Sequence, residues 1–378
     1  MKFNVVYGNI VNQLNTLAGI AGSSPNKDDI TQNILINVTG NELTLKATNY
    51  NIELQSVIAL DTVFTEGEIT VNAVKLKDVL GNLDKNSVVE FNLDEEKNLL
   101  ILSCDSSTFE IRTRSAIDFP SFEMDNPTHT LVLKQKQLKS IIQSSIFCVS
   151  IEDFRDYFKG IRLEVNSSKL EAFASDGHRM AILETTLENV QAGQEPFGVI
   201  LTRQCASQLA DIVGAESESD VSLAFTKDAV QTSCNNYKLT SKLINCGYPN
   251  VRTVIPKTIE KQVSIPNAQL VSKIKIASSL SSKRINGVTF NFGNGEVVMH
   301  SENSEHEVSQ ARLPLPDAVD NIEISLNAQY VRDVLTNIKC DNVLFCFTQP
   351  MIHVLIKPEV ETNDFGIKAS YIISKVVV

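Results

Sequence analysis

The densest run of chemically capable side chains is Ser175-Asp176-Gly177-His178-Arg179-Met180-Ala181. A hydroxyl, a carboxylate and an imidazole are the groups of nucleophilic catalysis. A working triad, however, draws them together from separate elements, beside donors for an oxyanion. Residues two apart on one strand or turn do not meet that way, and no oxyanion glycine motif surrounds these, so the run reads as a turn or cleft wall. His300 and His306, with Glu302 and Glu305, are metal-ligand types, yet they straddle a predicted hairpin turn. Gly293-Asn294-Gly295 has the chemistry of a tight hairpin turn. No GxxxxGK[ST] loop occurs, which excludes a P-loop ATPase. The residues therefore point to a protein that is not an enzyme and needs neither cofactor nor metal.

The seven cysteines (Cys104, Cys148, Cys205, Cys234, Cys246, Cys340, Cys346) are odd in number, dispersed and without a CxxC pair. That pattern suits reduced thiols in a cytoplasmic protein. No apolar run reaches the ~18 residues of a membrane span. Met1-Lys2-Phe3-Asn4-Val5-Val6 reads as a strand rather than the apolar core of a signal peptide.

Elements that could hold such a turn recur along the 378 residues. A strand–turn–strand unit appears at Ile34–Val38 with Glu42–Asn49, at Gly160–Val165 with Lys169–Asp176, and at Gly287–Phe292 with Glu296–Asn303. Leu43, Leu170 and Val297 fall at steps of 127 residues, as do Asn49, Asp176 and Asn303. A second unit is an amphipathic helix leading to a hairpin. Its copies begin near Asn72, Thr202 and Asn327, all N-cap residue types, and lead to Val88–Arg112, Val221–Leu243 and Val343–Ile356. Each third also opens with a helix, giving predicted helices at 9–21, 73–83, 136–147, 202–214, 267–280 and 327–339. Pro-containing segments near 118–127 and 248–256 mark the joints. The expectation is an α+β fold of three tandem domains, 1–122, 123–252 and 253–378, each with two helices and an antiparallel sheet.

The net charge of −11 argues against nucleic acid until its distribution is considered. The six predicted helices carry nine basic residues, Lys75, Lys77, Lys136, Lys139, Arg203, Lys273, Lys275, Arg332 and Lys339, against Asp78, Asp211 and Asp333. They are therefore +6, and the rest of the chain is −17. One basic face on an acidic exterior suits sequence-independent phosphate contact. There is no tryptophan, no aromatic interleaving and no recognition-helix signature to read bases. If helices at ~10 Å spacing lined a hole, six would leave ~9 Å clear and twelve ~28 Å. Duplex DNA fits only the second, so two chains are required.

Ser175–Ala181 closely resembles the TDGHRLA segment of the bacterial sliding clamps, the beta subunits of DNA polymerase III. Asp118-Phe119-Pro120, Ser241-Lys242-Leu243 through Tyr248-Pro249 to Val254-Ile255-Pro256, and Tyr330-Val331-Arg332-Asp333-Val334-Leu335 extend the resemblance over the whole chain. It implies a head-to-tail homodimeric ring on duplex DNA that tethers the replicative polymerase. The clamp loader and other proteins with clamp-binding motifs would share a peptide-binding cleft between the second and third domains. Carried over, the cleft comprises Phe158, Ser175, Gly177, His178, Arg179, Met180, Pro249 and Val254, with Arg155, Tyr157, Tyr330, Met351, His353, Ile372 and Ile373. The dimer contact would set the strand at Phe109 and Ile111 against the third domain near Leu280, with Lys75, Lys97 and Arg112 facing Glu305 and Glu307. Two departures stand out. Ser374-Lys375-Val376-Val377-Val378 replaces the usual Pro-Met-Arg or Pro-Val-Arg tail, and Ser23-Ser24-Pro25-Asn26 lacks an arginine found in some members, with Lys27 beside it. The competing reading is a repeat-built protein-interaction scaffold that does not encircle DNA.

Overall fold

The structure is a computed structural model, and it describes residues 1–22, 28–188, 195–316 and 321–378. The loop Ser23–Asn26 and Lys27 lie outside the described residues. The first third runs β1 (Lys2–Val6), α1 (Tyr7–Ala21), β2 (Asn33–Thr39), β3 (Glu42–Thr48), β4 (Ile52–Ala59), β5 (Thr62–Thr65), β6 (Gly67–Asn72), α2 (Ala73–Leu80), β7 (Val88–Asp94), β8 (Leu99–Cys104) and β9 (Ser107–Arg114). The second runs β10 (His129–Lys134), α3 (Gln135–Gln143), β11 (Gly160–Asn166), β12 (Lys169–Ser175), β13 (Arg179–Thr186), β14 (Phe197–Thr202), α4 (Arg203–Ile212), β15 (Asp220–Phe225), β16 (Ala229–Cys234) and β17 (Tyr237–Lys242). The third runs β18 (Lys261–Pro266), α5 (Asn267–Ala277), β19 (Gly287–Gly293), β20 (Glu296–Glu302), β21 (Val308–Pro314), β22 (Ile322–Asn327), α6 (Ala328–Asn337), β23 (Asn342–Phe347), β24 (His353–Pro358) and β25 (Lys368–Ser374). Apart from β5, the order is the same three times over.

The predicted cores and caps explain this regularity. Leu43, Leu170 and Val297 are all buried on equivalent strands. Each second helix begins where a side-chain oxygen takes up an otherwise unbonded backbone N–H. The Asn72 carbonyl accepts from Lys75 N at 3.0 Å, the Thr202 hydroxyl from Cys205 N at 3.0 Å, and the Asn327 carbonyl from Gln329 N and Tyr330 N at 2.9 and 3.1 Å. The segments expected as hairpins are three-stranded meanders: β7–β8–β9, β15–β16–β17 and β23–β24–β25. Two-residue turns with left-handed Asp105 and Asn235 (φ 49° and 54°) return the chain within what reads as one run. Asn294 and Gly295, both at positive φ, close the β19–β20 hairpin as expected.

The chain divides into two compact units, 1–135 with 207–243, and 136–206 with 244–378. In the first, one sheet runs β10-β15-β16-β17-β4-β3-β2-β6 and continues through β9-β8-β7-β1-β5. The link from β6 to β9 is two residue pairs, Thr70–Arg114 and Val71–Thr113, so among the described residues Ser107–Arg112 has an open edge. In the second unit, an eight-stranded sheet runs β14-β11-β12-β13-β25-β24-β23-β18, beside a four-stranded sheet β21-β20-β19-β22. The two eight-strand orders are the same under the repeat, and each continues from one third of the chain into the next. β17 pairs with β4 in one, and β25 with β13 in the other. Among the described residues, no helix is long and apolar enough to cross a membrane.

Candidate functional site

The eight-stranded sheet of the second unit carries the Ser175–Ala181 run. Directly paired residues on antiparallel strands share a face. Arg162 lies opposite Phe173, Phe173 opposite Ile182, Met180 opposite Ile372, Ile372 opposite Leu355, and Leu355 opposite Cys346. Phe173, Met180, Ile182, Leu344, Cys346, Leu355 and Ile372 consequently form one apolar floor on that face. Tyr248, Val251 and Ile255, from the segment after β17, pack against it. Val254 beside them is 46% exposed, and Pro249 is exposed as well. Ala172–Ala174 on β12 and Met180–Leu183 on β13 are apolar at odd and even positions alike, and this is the sequence signal of a sheet covered on both faces.

At one end of the floor sits the Asp176–His178 turn. Ser175 Oγ donates to Arg179 O at 2.7 Å and accepts from Gly177 N at 3.1 Å. Asp176 accepts from His178 N and from Arg179 N and Nε at 2.9–3.0 Å. The serine and aspartate thus build the turn, and neither is aimed at the imidazole. Gly177, at φ 88°, takes the left-handed backbone the turn needs, and a Cβ there would meet Arg155 Nη2 at 3.0 Å. Arg155 lies across Phe158, 4.4 Å from the ring centroid, held by a two-pronged pair to Asp153 at 2.8 and 2.9 Å. That hydrogen bonding holds the Asp153 carboxyl at about 2. Tyr157 sets its ring edge against Phe158 and Tyr248.

Arg179 is the hub of the site. Its guanidinium donates to Asp176 at 3.0 Å, to Asp333 on α6 at 2.5 Å and to Phe147 O at 2.7 Å. It also lies 4.5 Å from the Tyr330 ring centroid, and Tyr330 in turn stacks on His178. The Cys148 thiol, buried near this cluster, has its pKa raised by desolvation. Burial likewise lowers the pKa of His353, which is half-buried at the far side with Met351.

The structure brings Arg155, Tyr157, Phe158, Gly177, His178, Arg179, Met180 and Tyr330 around one turn, and Met180 with Ile372 on one floor. It departs from expectation at three of the carried-over positions. Ile373 is fully buried on the opposite face of β25, because side chains alternate along a strand. Ser175 is buried with its hydroxyl committed to the turn, and Arg179 is committed to Asp176, Asp333 and Phe147. Sequence reasoning missed Phe173, Ile182, Leu344, Cys346 and Leu355, the greater part of the floor. The tail is also placed: Ser374 N donates to His178 O, Lys375 N to Ile352 O and Val376 N to Ser325 O, each at 2.9 Å.

Among the helix cations, Lys75, Lys77, Lys275 and Lys339 are exposed, while Lys136, Lys139, Lys273 and Arg332 are half-buried. Lys339 lies just past the end of α6. Arg203 is a correction, since its guanidinium donates to Ile146 O and Val149 O at 2.8 and 3.1 Å and fastens a 3-10 turn. At the proposed dimer surface, Phe109 is half-buried, Arg112 exposed, Lys97 paired with Asp94 at 3.3 Å, and Glu305 and Glu307 exposed. Ile111 is buried and faces the core, so only its backbone reaches an edge. Leu280, Ile276 and Val308 expose apolar surface in the third domain. His306 pairs with Glu302 at 2.6 Å, and all seven cysteines are free thiols.

Three family models match in succession: the N-terminal domain of DNA polymerase III beta subunit at residues 1–123, its central domain at 132–250 and its C-terminal domain at 252–369. The beta sliding clamp of Vibrio cholerae is 28% identical over 91% of this chain and 92% of its own length. That of Pseudomonas aeruginosa is 27% identical over 96% and 97%. A solved Pseudomonas aeruginosa sliding clamp bound to griselimycin superposes with a TM-score of 0.91 at 25% identity, covering all of both chains. A beta subunit from Thermotoga maritima, at 18% identity and a TM-score of 0.89, shares the fold over 100% of this chain and 99% of its own. The chain belongs to the DNA polymerase III beta subunit family, the bacterial beta sliding clamps.

Proposed function

We propose that two copies of this chain close head to tail into a ring around duplex DNA, each copy contributing domains 1–122, 123–252 and 253–378. As a beta sliding clamp the protein is a processivity factor for DNA polymerase in replication. The observation that carries the ring is the strand order. β17 joins β4 and β25 joins β13 by the same rule, and that rule matches β9 with β21. Among the described residues, β9 has an open edge along Ser107–Arg112, and β21 pairs only with β20. Pairing β9 of one copy with β21 of another repeats the internal junction and leaves neither edge free. Phe109 and the backbone at Ile111 would meet the surface near Leu280, with Lys75, Lys97 and Arg112 facing Glu305 and Glu307.

Twelve helices would then line a hole with phosphate-facing cations Lys75, Lys77, Lys136, Lys139, Lys273, Lys275, Arg332 and Lys339. The contact is sequence-independent, because none of these is organised to read bases. The apolar floor with its Arg155–His178 rim is a peptide-binding cleft for the replicative polymerase, the clamp loader and other clamp-binding proteins. Griselimycin, bound by the Pseudomonas aeruginosa clamp, would occupy it. Apolar walls with few polar groups suit a short anchored peptide. The protein acts without catalysis, in the cytoplasm.

The test is retention on circular and linearised plasmid after loading, with solution mass measured in parallel. A dimer held on circles and lost from linear ends is expected. A monomer, or equal loss from both templates, would leave the protein-only scaffold as the better account.

A further inference from the structure

Beside the apolar floor, on the same face of the eight-stranded sheet, lies a cleft of about 510 Å³ with a different chemistry. Arg162, Glu164, Glu171, Phe197, Gly198 and Arg252 are among its lining residues. Arg162 Nε donates to Glu164 Oε1 at 3.1 Å, and Arg252 Nη2 donates to Glu164 Oε2 at 2.7 Å and Glu171 Oε2 at 2.6 Å. Lys169 Nζ takes the last oxygen, Glu171 Oε1, at 3.0 Å, and also pairs with Glu184 at 3.0 Å. Three cations therefore balance three carboxylates, and all four oxygens of Glu164 and Glu171 are already engaged.

The donors are not exhausted. Among the described residues nothing bonds the two terminal nitrogens of Arg162, or Nε and Nη1 of Arg252. A guanidinium carries five N–H groups and no acceptor, so the spare capacity of this cleft is for an acceptor only. The Tyr248 hydroxyl is also buried without a partner among the described residues, and Arg162 lies 5.8 Å from the centroid of its ring. Gly198 gives Arg162 its place, because a Cβ at that position would collide with Arg162 Nη2.

The two compartments share walls. Arg162 is the direct cross-strand partner of Phe173, and Arg252 lies 5.1 Å from the Phe173 ring centroid. Tyr248 packs on the floor from one side and under Arg162 from the other. Adjacent strands are about 4.8 Å apart, so a group on Arg162 sits within one or two residues of a side chain anchored on Phe173.

We infer that this cleft is an acidic-residue subsite, in which Arg162 and Arg252 take the carboxylate of an aspartate or glutamate next to the apolar anchor of a bound peptide. The inference rests on the peptide-cleft reading of the neighbouring floor. The ion pairs already formed neutralise Glu164 and Glu171, so an incoming carboxylate meets a balanced network with open donors rather than bare negative charge. Planar two-pronged recognition is what a guanidinium supplies and a lysine does not.

The experiment uses the full chain and labelled peptides sharing one Leu- and Phe-containing apolar segment, with glutamate or glutamine at each of the two positions beside the anchor. Fluorescence anisotropy should show one glutamate peptide binding about tenfold tighter than its glutamine twin, the size of a charge-assisted hydrogen bond. Arg162→Gln should abolish that preference and leave the glutamine peptide unchanged. Gly198→Ala, which displaces the arginine without altering charge, should do the same. Equal affinities for every pair on the unaltered protein, or a preference surviving both substitutions, overturns the subsite. If no peptide binds, or griselimycin does not displace them, the cleft reading itself fails and the subsite falls with it.

Discussion

At the scale of single residues, one arginine ties the Asp176 turn, α6 and the segment at Phe147 together. Arg179 leaves β13 and ends between two carboxylates and a backbone carbonyl, with 11% of its side chain exposed. Such a group cannot lose one partner cheaply, because the remaining charges stay out of water unpaired. Arg179→Ala is therefore expected to cost about 3 kcal/mol in denaturant unfolding of the second unit. Asp333→Ala should cost less, since Arg179 retains Asp176. The double variant should fall short of the sum of the two, as contacting residues do. Strict additivity would show that the Arg179–Asp333 pair contributes nothing to holding α6 against the turn. The sequence offers the arginine but not this role. A DGHR run places the side chain beside a cleft, whereas its partner lies 154 residues away. Only the strand pairing of β13 with β25 brings α6 to it.

At the scale of elements, legibility followed periodicity. The six helices and the 127-residue step emerge from apolar spacing and N-cap chemistry, because both are local. The third strand of each meander and the greater part of the floor do not. Phe173 reads as core on β12, since the alternation of Leu170, Ala172 and Ala174 already accounts for one face. Its own face becomes apolar only because Ile182, Ile372, Leu355 and Cys346 are brought alongside from four other strands. Ile373 falls off the floor for the same reason, as a one-residue step along β25 crosses the sheet. Alternation also says which amides of β9 are available. Thr113 N donates to Asn98 O, so the odd-numbered amides point to β8 and those of Thr108, Glu110 and Arg112 point away. Glu110→Pro would remove one outward donor with no internal hydrogen bond lost. We expect its circular dichroism to match the unaltered protein while its mass in solution falls to that of one chain. A dimer persisting at low concentration would place the contact elsewhere than on this edge.

At the scale of the whole molecule, an acidic protein that holds DNA raises the question of what does the holding. With a net charge of −11 and four helix-associated lysines exposed, direct affinity for phosphate is expected to be small. Each neutralised phosphate contributes close to one unit of slope in log K against log salt. The proposed ring, closed on a circle, would have no such dependence, since leaving it would require opening the proposed β9–β21 junction rather than breaking phosphate contacts. The two contributions can be separated by reversing charge at Lys77, Lys275 and Lys339 together, which are exposed and lie outside the proposed dimer contact. Equilibrium binding to short linear duplexes should weaken, with the salt slope falling by roughly one unit for each lysine that touches phosphate. The lifetime on closed circles should be unchanged, and Glu110→Pro should shorten it sharply without altering the slope on linear DNA. If the lysine reversals shorten the lifetime on circles as much as they weaken linear binding, retention is electrostatic. The helix cations would then hold the DNA, and the closed sheet would only arrange them.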